Sequence, residues 1–81
     1  MARFRLFATL WNKAGGRCQI LCDGHQHFIF ERTQDGVVVE RFRSGDPETF
    51  HRYTYELSVQ GWDFAWAPRE GKETPVGNRD Q

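Results

Sequence analysis

Two cysteines and two histidines occupy residues 18–27, in the segment CQILCDGHQH. Thiolate and imidazole groups are ligands that zinc prefers, so this segment is the first candidate for chemistry. A metal site needs three or four convergent ligands. His25 and His27 are two residues apart and would need a third ligand nearby. The candidates for that ligand are Asp23, Cys22 and His51.

The spacing of the cysteines argues against a shared zinc ion and against a disulfide. Cys18 and Cys22 are four positions apart, which in a strand separates their backbones by roughly 13 Å. Zinc-bound sulfurs lie about 2.3 Å from the metal, and a disulfide needs Cα atoms within about 7 Å. We therefore predict that both cysteines are small buried residues, that the histidines lie in a solvated turn, and that the protein holds no metal or other cofactor.

The remaining polar side chains give little support for catalysis. Cys22 and His25 could form a nucleophile–base pair, but their closeness in sequence is not the geometry such a pair needs. Glu31 and Glu40 lie on neighbouring predicted strands, so they could act as a general acid and a general base. Adjacent arginines make cross-strand ion pairs the preferred interpretation. The serines, neither of which lies in a nucleophile motif, are Ser44 and Ser58. We predict that the protein is not an enzyme.

The elements that position these residues follow from the hydrophobic pattern. Alternation of apolar and polar residues predicts strands at about 3–11, 17–23, 27–33 and 37–43. A helix within 45–62 follows, because Asp46 suits the N-cap, Pro47 the first turn and Gly61 the C-terminal end. A last strand is expected at 62–66. The predicted class is α+β, an antiparallel meander of about four strands with one helix on one face and a further C-terminal strand, in the order ββββαβ.

The hairpin between the third and fourth strands decides which side chains are buried. A two-residue loop at Asp35-Gly36 and a three-residue loop that includes Gln34 are both compatible with the sequence. We prefer the three-residue loop, because it groups three phenylalanines with Val38 on one face. The face predicted to lie under the helix bears Phe4, Leu6, Leu10, Ile20, Phe28, Phe30 and Phe42. The helix residues predicted to face it are Phe50, Tyr53, Thr54 and Leu57.

Length and composition predict one small domain, residues 1–67, with a flexible polar tail at 68–81. Val76 is the bulky apolar residue of that tail, which cannot bury enough surface to offset its ordering entropy. No apolar run approaches the roughly 20 residues that cross a bilayer. The N-terminal segment also lacks the pattern of a secretory signal. We therefore expect a cytoplasmic protein without a membrane association.

The second face of the sheet is the predicted partner-binding surface. Residues 1–45 carry seven Lys or Arg against four acids, whereas residues 46–81 carry four against seven. Arginine and aromatic residues are enriched at interface hot spots. The residues predicted to bind a partner through this face are Arg3, Arg5, Phe7, Trp11, Ile29, Val39, Arg41 and Arg43. A smaller patch on the outer side of the helix comprises Arg52, Tyr55 and Val59.

Three kinds of partner are compatible with that surface. We favour a protein-binding module, such as an inhibitor or adaptor of a larger protein or nucleoprotein assembly. In size and class the chain is similar to small inhibitors encoded by phages and mobile elements. Nucleic-acid binding is the alternative, since residues 17–60 are similar at the fold level to sheet-reading domains of some integrases and plant transcription factors. The near-neutral pI of about 6.8 argues against that alternative. A homodimer formed through an exposed edge or face is compatible with both.

Overall fold

The computed structural model describes residues 3–68, which form one antiparallel sheet and one helix. The sheet has five strands in the order β4-β3-β2-β1-β5. The elements are β1 (Arg5–Trp11), β2 (Gly16–Cys22), β3 (Phe28–Gln34), β4 (Val37–Ser44), α1 (Pro47–Val59) and β5 (Asp63–Trp66). The predicted α+β class and the order ββββαβ are confirmed. The predicted tail, residues 68–81, lies outside the described residues except for Pro68.

The hydrophobic core lies between α1 and one face of the sheet. Phe30 is its centre: its ring stacks on Phe42 at a centroid distance of 4.6 Å and meets the edge of Tyr53 at 5.1 Å. Such aromatic pairs add to the free energy gained from burying their area. The buried hydrophobic residues are Ala8, Leu10, Cys18, Ile20, Phe28, Phe30, Phe50, Leu57 and Trp62.

Both ends of α1 are capped as the sequence predicts. The Asp46 carboxylate accepts a hydrogen bond of 3.0 Å from the backbone N–H of Glu48. At the other end Gly61 has a φ of 96°, and the N–H of Trp62 donates to the carbonyl of Leu57 at 3.0 Å. This Schellman motif turns Trp62 back into the core. No helix within residues 3–68 has the length and apolar character that crossing a bilayer requires.

A β-bulge in β1 changes which of its residues face the helix. Leu6 pairs with Leu21, but Ala8 pairs with Ile20, so Phe7 is an extra residue between the two pairs. Paired residues share a face of the sheet. Because Ile20 lies in the core under α1, Leu6 lies on the opposite face.

Four predicted placements in β1 and just before it are therefore wrong. Leu6 and Phe4 were expected under the helix, whereas Leu6 lies on the other face and the Phe4 ring lies 5.1 Å from the Cζ atom of Arg43. Phe7 and Arg5 were expected on the partner-binding face. Phe7 packs against the core, with its ring 5.4 Å from that of Phe50. Arg5 pairs with Cys22, which lies two residues beyond Ile20 and on the same side.

The hairpin between β3 and β4 has a two-residue loop, so the predicted three-residue loop is wrong. Asp35 and Gly36 have φ values of 54° and 86°, and Gln34 pairs directly with Val37. Two successive left-handed residues are typical of a type I′ turn, whose twist matches that of the flanking strands.

A second bulge, at Val39, returns Phe42 to the side of the sheet that the longer loop predicted for it. Phe30 pairs with Phe42, so both lie under α1 as predicted. Val38 pairs with Thr33 and lies on the face away from the helix, so its predicted place beside the phenylalanines is wrong. The extra residue that the longer loop would have placed in the turn is therefore accommodated as a bulge within β4.

Candidate functional site

The cysteine–histidine segment is the end of β2 followed by a turn. Cys18 is fully buried and Cys22 is half-buried, and both are free thiols. The Asp23 carboxylate organises the turn: it accepts from the backbone N–H of His25 at 2.8 Å and lies 3.1 Å from Nδ1 of His27. The hydrogen bond from the His25 backbone is the main cause that lowers the pKa of Asp23. Within residues 3–68, no group of three His, Cys, Asp or Glu side chains has the arrangement of a metal site.

Cys18 belongs to a small cluster at the edge of the core. Burial raises the pKa of the Cys18 thiol to about 11. Burial is also the main cause that raises the pKa of Tyr53, whose hydroxyl donates to Oε1 of Glu40 at 3.3 Å. Nε of Arg32 lies 3.2 Å from the same Glu40 oxygen. Because the thiolate is the reactive form of cysteine, this thiol is unsuited to act as a nucleophile at neutral pH.

The two strand glutamates lie on opposite faces of the sheet. Glu40 pairs with Arg32 on the helix side, and Glu31 pairs with Arg41 on the other side. The corresponding Nε to carboxylate distances are 3.2 and 3.9 Å. An acid and a base must reach the same substrate. These carboxylates therefore cannot serve as one catalytic pair, and they make the cross-strand ion pairs expected from the sequence.

The face of the sheet away from α1, which we call the open face, is the candidate functional site. No helix or strand of the described chain packs on it. Its first row is apolar except for an arginine and comprises Leu6, Leu21, Ile29 and Arg43. Its middle row comprises Thr9, Gln19, Glu31, Arg41 and Ala65. Its third row comprises Trp11, Arg17, Thr33, Val38 and Asp63.

The open face offers apolar anchors at both ends and a polar centre. Leu6, Trp11 and Val38 are exposed by 40%, 38% and 53%. The guanidinium of Arg43 lies over the ring of Phe4, in the range of a cation–π contact. Long arginine stems that lie along a sheet cover apolar area while their heads remain in water.

Charges on the open face are nearly balanced. Its three arginines stand against two acids, Glu31 and Asp63. Glu31 lies 3.9 Å from Nε of Arg41, so part of that positive charge is already compensated within the face. The surface therefore lacks the clustered positive charge of a dedicated nucleic-acid binder.

The predicted partner-binding residues divide into separate groups. The open face holds Trp11, Ile29, Arg41 and Arg43. Val39 is the exposed bulge residue of β4, and Arg3 is exposed before β1 begins. Exposed residues on the outer side of α1, away from the open face, are Arg52, Tyr55 and Val59. The structure does not bring this helix patch together with the open face.

Arg5 and Phe7 line a groove at the end of the sheet where β1 begins. The groove has a volume of about 820 Å³, and Leu6 and Trp66 also line it. Because Leu6 belongs to the open face as well, the groove and the open face are contiguous. Arg5 and Phe7, whose predicted placement was wrong, therefore still lie at the border of the open face.

Sequence reasoning missed several residues of the candidate site. Leu6 and Val38 were assigned to the buried side, and Arg17 was not selected. A signal for the first was present, because Leu6, Phe7 and Ala8 form an apolar run that interrupts the alternation of β1. Such an interruption is what an extra bulge residue produces.

No protein family model, curated protein or solved structure matches the chain. Function is therefore inferred from the open face and its chemistry.

Proposed function

We propose that the chain is a non-enzymatic protein-binding module that acts through the open face. The observation that carries the proposal is a five-stranded face with exposed aromatic, aliphatic and arginine side chains and no covering element within residues 3–68. Strands about 4.8 Å apart with a rise of about 3.3 Å per residue give it a flat extent of roughly 20 by 20 Å. That extent is of the scale of a small protein interface.

The distribution of side chains supports a protein partner. Trp11 and Leu6 lie at opposite ends of β1, so the face presents two separated apolar anchors. Arg41 pairs with Glu31, and Arg17 lies in the same row as Asp63, in a mixed pattern that a complementary protein surface could match. Hot spots usually combine an aromatic or arginine anchor with surrounding contacts that exclude water.

An inhibitor or adaptor role on a larger cytoplasmic assembly is the finer form of this proposal. Its support is the small size of the folded unit together with a broad face suited to docking. Small phage-encoded and mobile-element-encoded inhibitors have the same general character. Binding of nucleic acid by Arg17, Arg41 and Arg43 is the alternative, and the acids on the face weigh against it.

Capture from a native lysate treated with nuclease tests the proposal. We compare the unmodified protein with an open-face variant, Trp11→Ala with Arg41→Glu, and a matched helix-face variant, Tyr55→Ala with Arg52→Glu. Each pair truncates one exposed aromatic residue and reverses one exposed arginine. The open-face variant should capture at least about tenfold less partner protein than the unmodified chain, because it lacks a hot-spot contact. Circular dichroism verifies that both variants fold.

Two outcomes of this capture contradict the proposal. One is an open-face variant that retains the partners, and the other is a helix-face variant that loses them. Binding to labelled single-stranded and double-stranded oligonucleotides tests the alternative. A steep loss of affinity with salt, abolished by Arg41→Glu with Arg43→Glu, would establish nucleic-acid binding instead.

A further inference from the structure

The outer edge of β5 is the second candidate surface, and it would bind through backbone groups at the border of the open face. β5 is at one end of the sheet, and no strand of residues 3–68 pairs with its outer side. We propose that two copies of the chain associate through β5, which pairs antiparallel with the same strand of the second copy. The result is one continuous sheet that contains both sets of strands.

The hydrogen-bonding groups of β5 are directed as this pairing requires. The N–H of Ala67 donates to the carbonyl of Phe7 in β1 at 3.0 Å. Backbone groups of successive strand residues point to alternate sides. The N–H and C=O of Phe64 and Trp66 therefore point away from β1, toward the free edge. Those are the groups that an added strand must bond.

One register satisfies these groups in both copies. When the two-fold axis passes through Ala65, Phe64 lies opposite Trp66 of the second copy, and Trp66 lies opposite Phe64. Both are hydrogen-bonded pairs, and together they give four N–H to carbonyl bonds. Ala65 then faces Ala65 of the second copy as a non-hydrogen-bonded pair, where a small side chain avoids a clash. Asp63 faces Ala67 rather than another charge.

The side chains of β5 are complementary to themselves in that register. Phe64 and Trp66 pair with Leu10 and Ala8, so they lie on the helix side of the sheet. Phe64 is exposed by 37% and Trp66 by 62%. Their rings already meet edge to face at 4.8 Å within one copy. Pairing places a second Phe64 and Trp66 beside them, and cross-strand aromatic pairs are favourable.

The other edge of the sheet is protected against the same association. β4 carries the bulge at Val39 and the charges of Glu40, Arg41 and Arg43. Antiparallel self-pairing centred on Arg41 or Phe42 would place arginine opposite arginine, and pairing centred on Glu40 would place glutamate opposite glutamate. Bulges and charges are the usual devices that prevent edge pairing. β5 has no bulge, and Asp63 is its charged residue.

The association is expected to be weak and to widen the open face. Two four-residue strands bury less than the roughly 800 Å² per partner of a standard interface, so a dissociation constant in the micromolar range or weaker is expected. A two-fold axis perpendicular to the sheet keeps both open faces on one side. The dimer would therefore present two copies of that face side by side to a bivalent partner.

Register-specific crosslinking tests the proposal. In a Cys22→Ser background, Ala65→Cys places thiols at a non-hydrogen-bonded pair, where Cα atoms lie about 4.5 Å apart and within disulfide range. Mild oxidation should give a disulfide-linked dimer. Asp63→Cys is the matched control, because its residue faces Ala67 of the second copy and should remain monomeric. Failure to crosslink at position 65, or equal crosslinking at both positions, overturns the proposal.

Sedimentation of the protein without added cysteines gives a second measurement. The unmodified chain should dimerise reversibly as its concentration rises. Trp66→Glu should weaken dimerisation at least about tenfold by burying a charge at the new pairing. Tyr55→Glu, on an aromatic residue of similar exposure on α1, should leave it unchanged. A chain that stays monomeric up to about 1 mM overturns the proposal, because a dissociation constant weaker than that is no stronger than a nonspecific crystal contact.

Discussion

Cys18 is the residue whose chemistry the fold changes most. Its side chain is fully buried beside Tyr53, and burial raises the pKa of its thiol to about 11. The alternation of β2 predicted this burial, because Cys18 lies two residues before Ile20. The cluster with Glu40 and Arg32 could not be predicted, since it depends on the bulge that aligns β4 with β3.

The raised pKa of Cys18 predicts a loss of stability at high pH. The thiol titrates near 9 when exposed and near 11 when folded. Its contribution is complete below pH 9 and is lost as the pH rises toward 11, because the unfolded chain releases the proton first. Between pH 8 and pH 10.5 we expect this residue to account for about 2 kcal/mol of the fall in unfolding free energy. Urea unfolding of the protein and of Cys18→Ala at both pH values measures the difference.

The comparison with Cys18→Ala separates this thiol from other groups that titrate at high pH, such as Tyr53. The variant is less stable at pH 8 because it lacks the sulfur, but its stability should depend less steeply on pH. An identical pH dependence of the two proteins would show that Cys18 is not held in its protonated form.

The strands and the helix differ from the sequence-based predictions mainly where a β-bulge interrupts a strand. The type and order of the elements, the N-cap at Asp46 and the C-terminal Gly61 were all predictable, because they depend on local pattern and capping chemistry. The bulge at Val39 was not predictable, and the bulge at Phe7 was signalled only by the apolar run of Leu6, Phe7 and Ala8, which does not show which residue is the extra one. Each bulge adds a single residue, and the neighbouring strand decides which residue is added. One such residue exchanges the faces of all positions on one side of it.

The bulge in β1 predicts an unequal cost of two neighbouring truncations. Phe7→Ala removes a ring that contacts Phe28, Phe50 and Trp66, and should lower the unfolding free energy by about 2–3 kcal/mol. Leu6→Ala removes a side chain on the open face that is exposed by 40%, and should cost about 1 kcal/mol or less. Denaturant unfolding of both variants measures the difference. A larger cost for Leu6→Ala would mean that β1 alternates without the bulge.

As a whole, the described chain is a sheet covered by a helix on one side. This asymmetry was predictable, because one amphipathic helix cannot cover two faces of a sheet. The residues that populate each face of β1 were not, because their assignment depends on the bulge. The consequence is an open face that presents Leu6 beside Trp11, whereas the sequence predicted Phe7 and Trp11 on that face.

Site-specific photo-crosslinking in cells that express the chain tests most directly whether the open face binds protein. One photoreactive residue replaces Gln19, an exposed residue of the middle row, and a second replaces Arg52 on the outer side of α1. We predict defined crosslinked proteins from Gln19 after nuclease treatment and none of them from Arg52. Crosslinks from Arg52 but not from Gln19, or crosslinks of Gln19 to nucleic acid alone, would contradict the account.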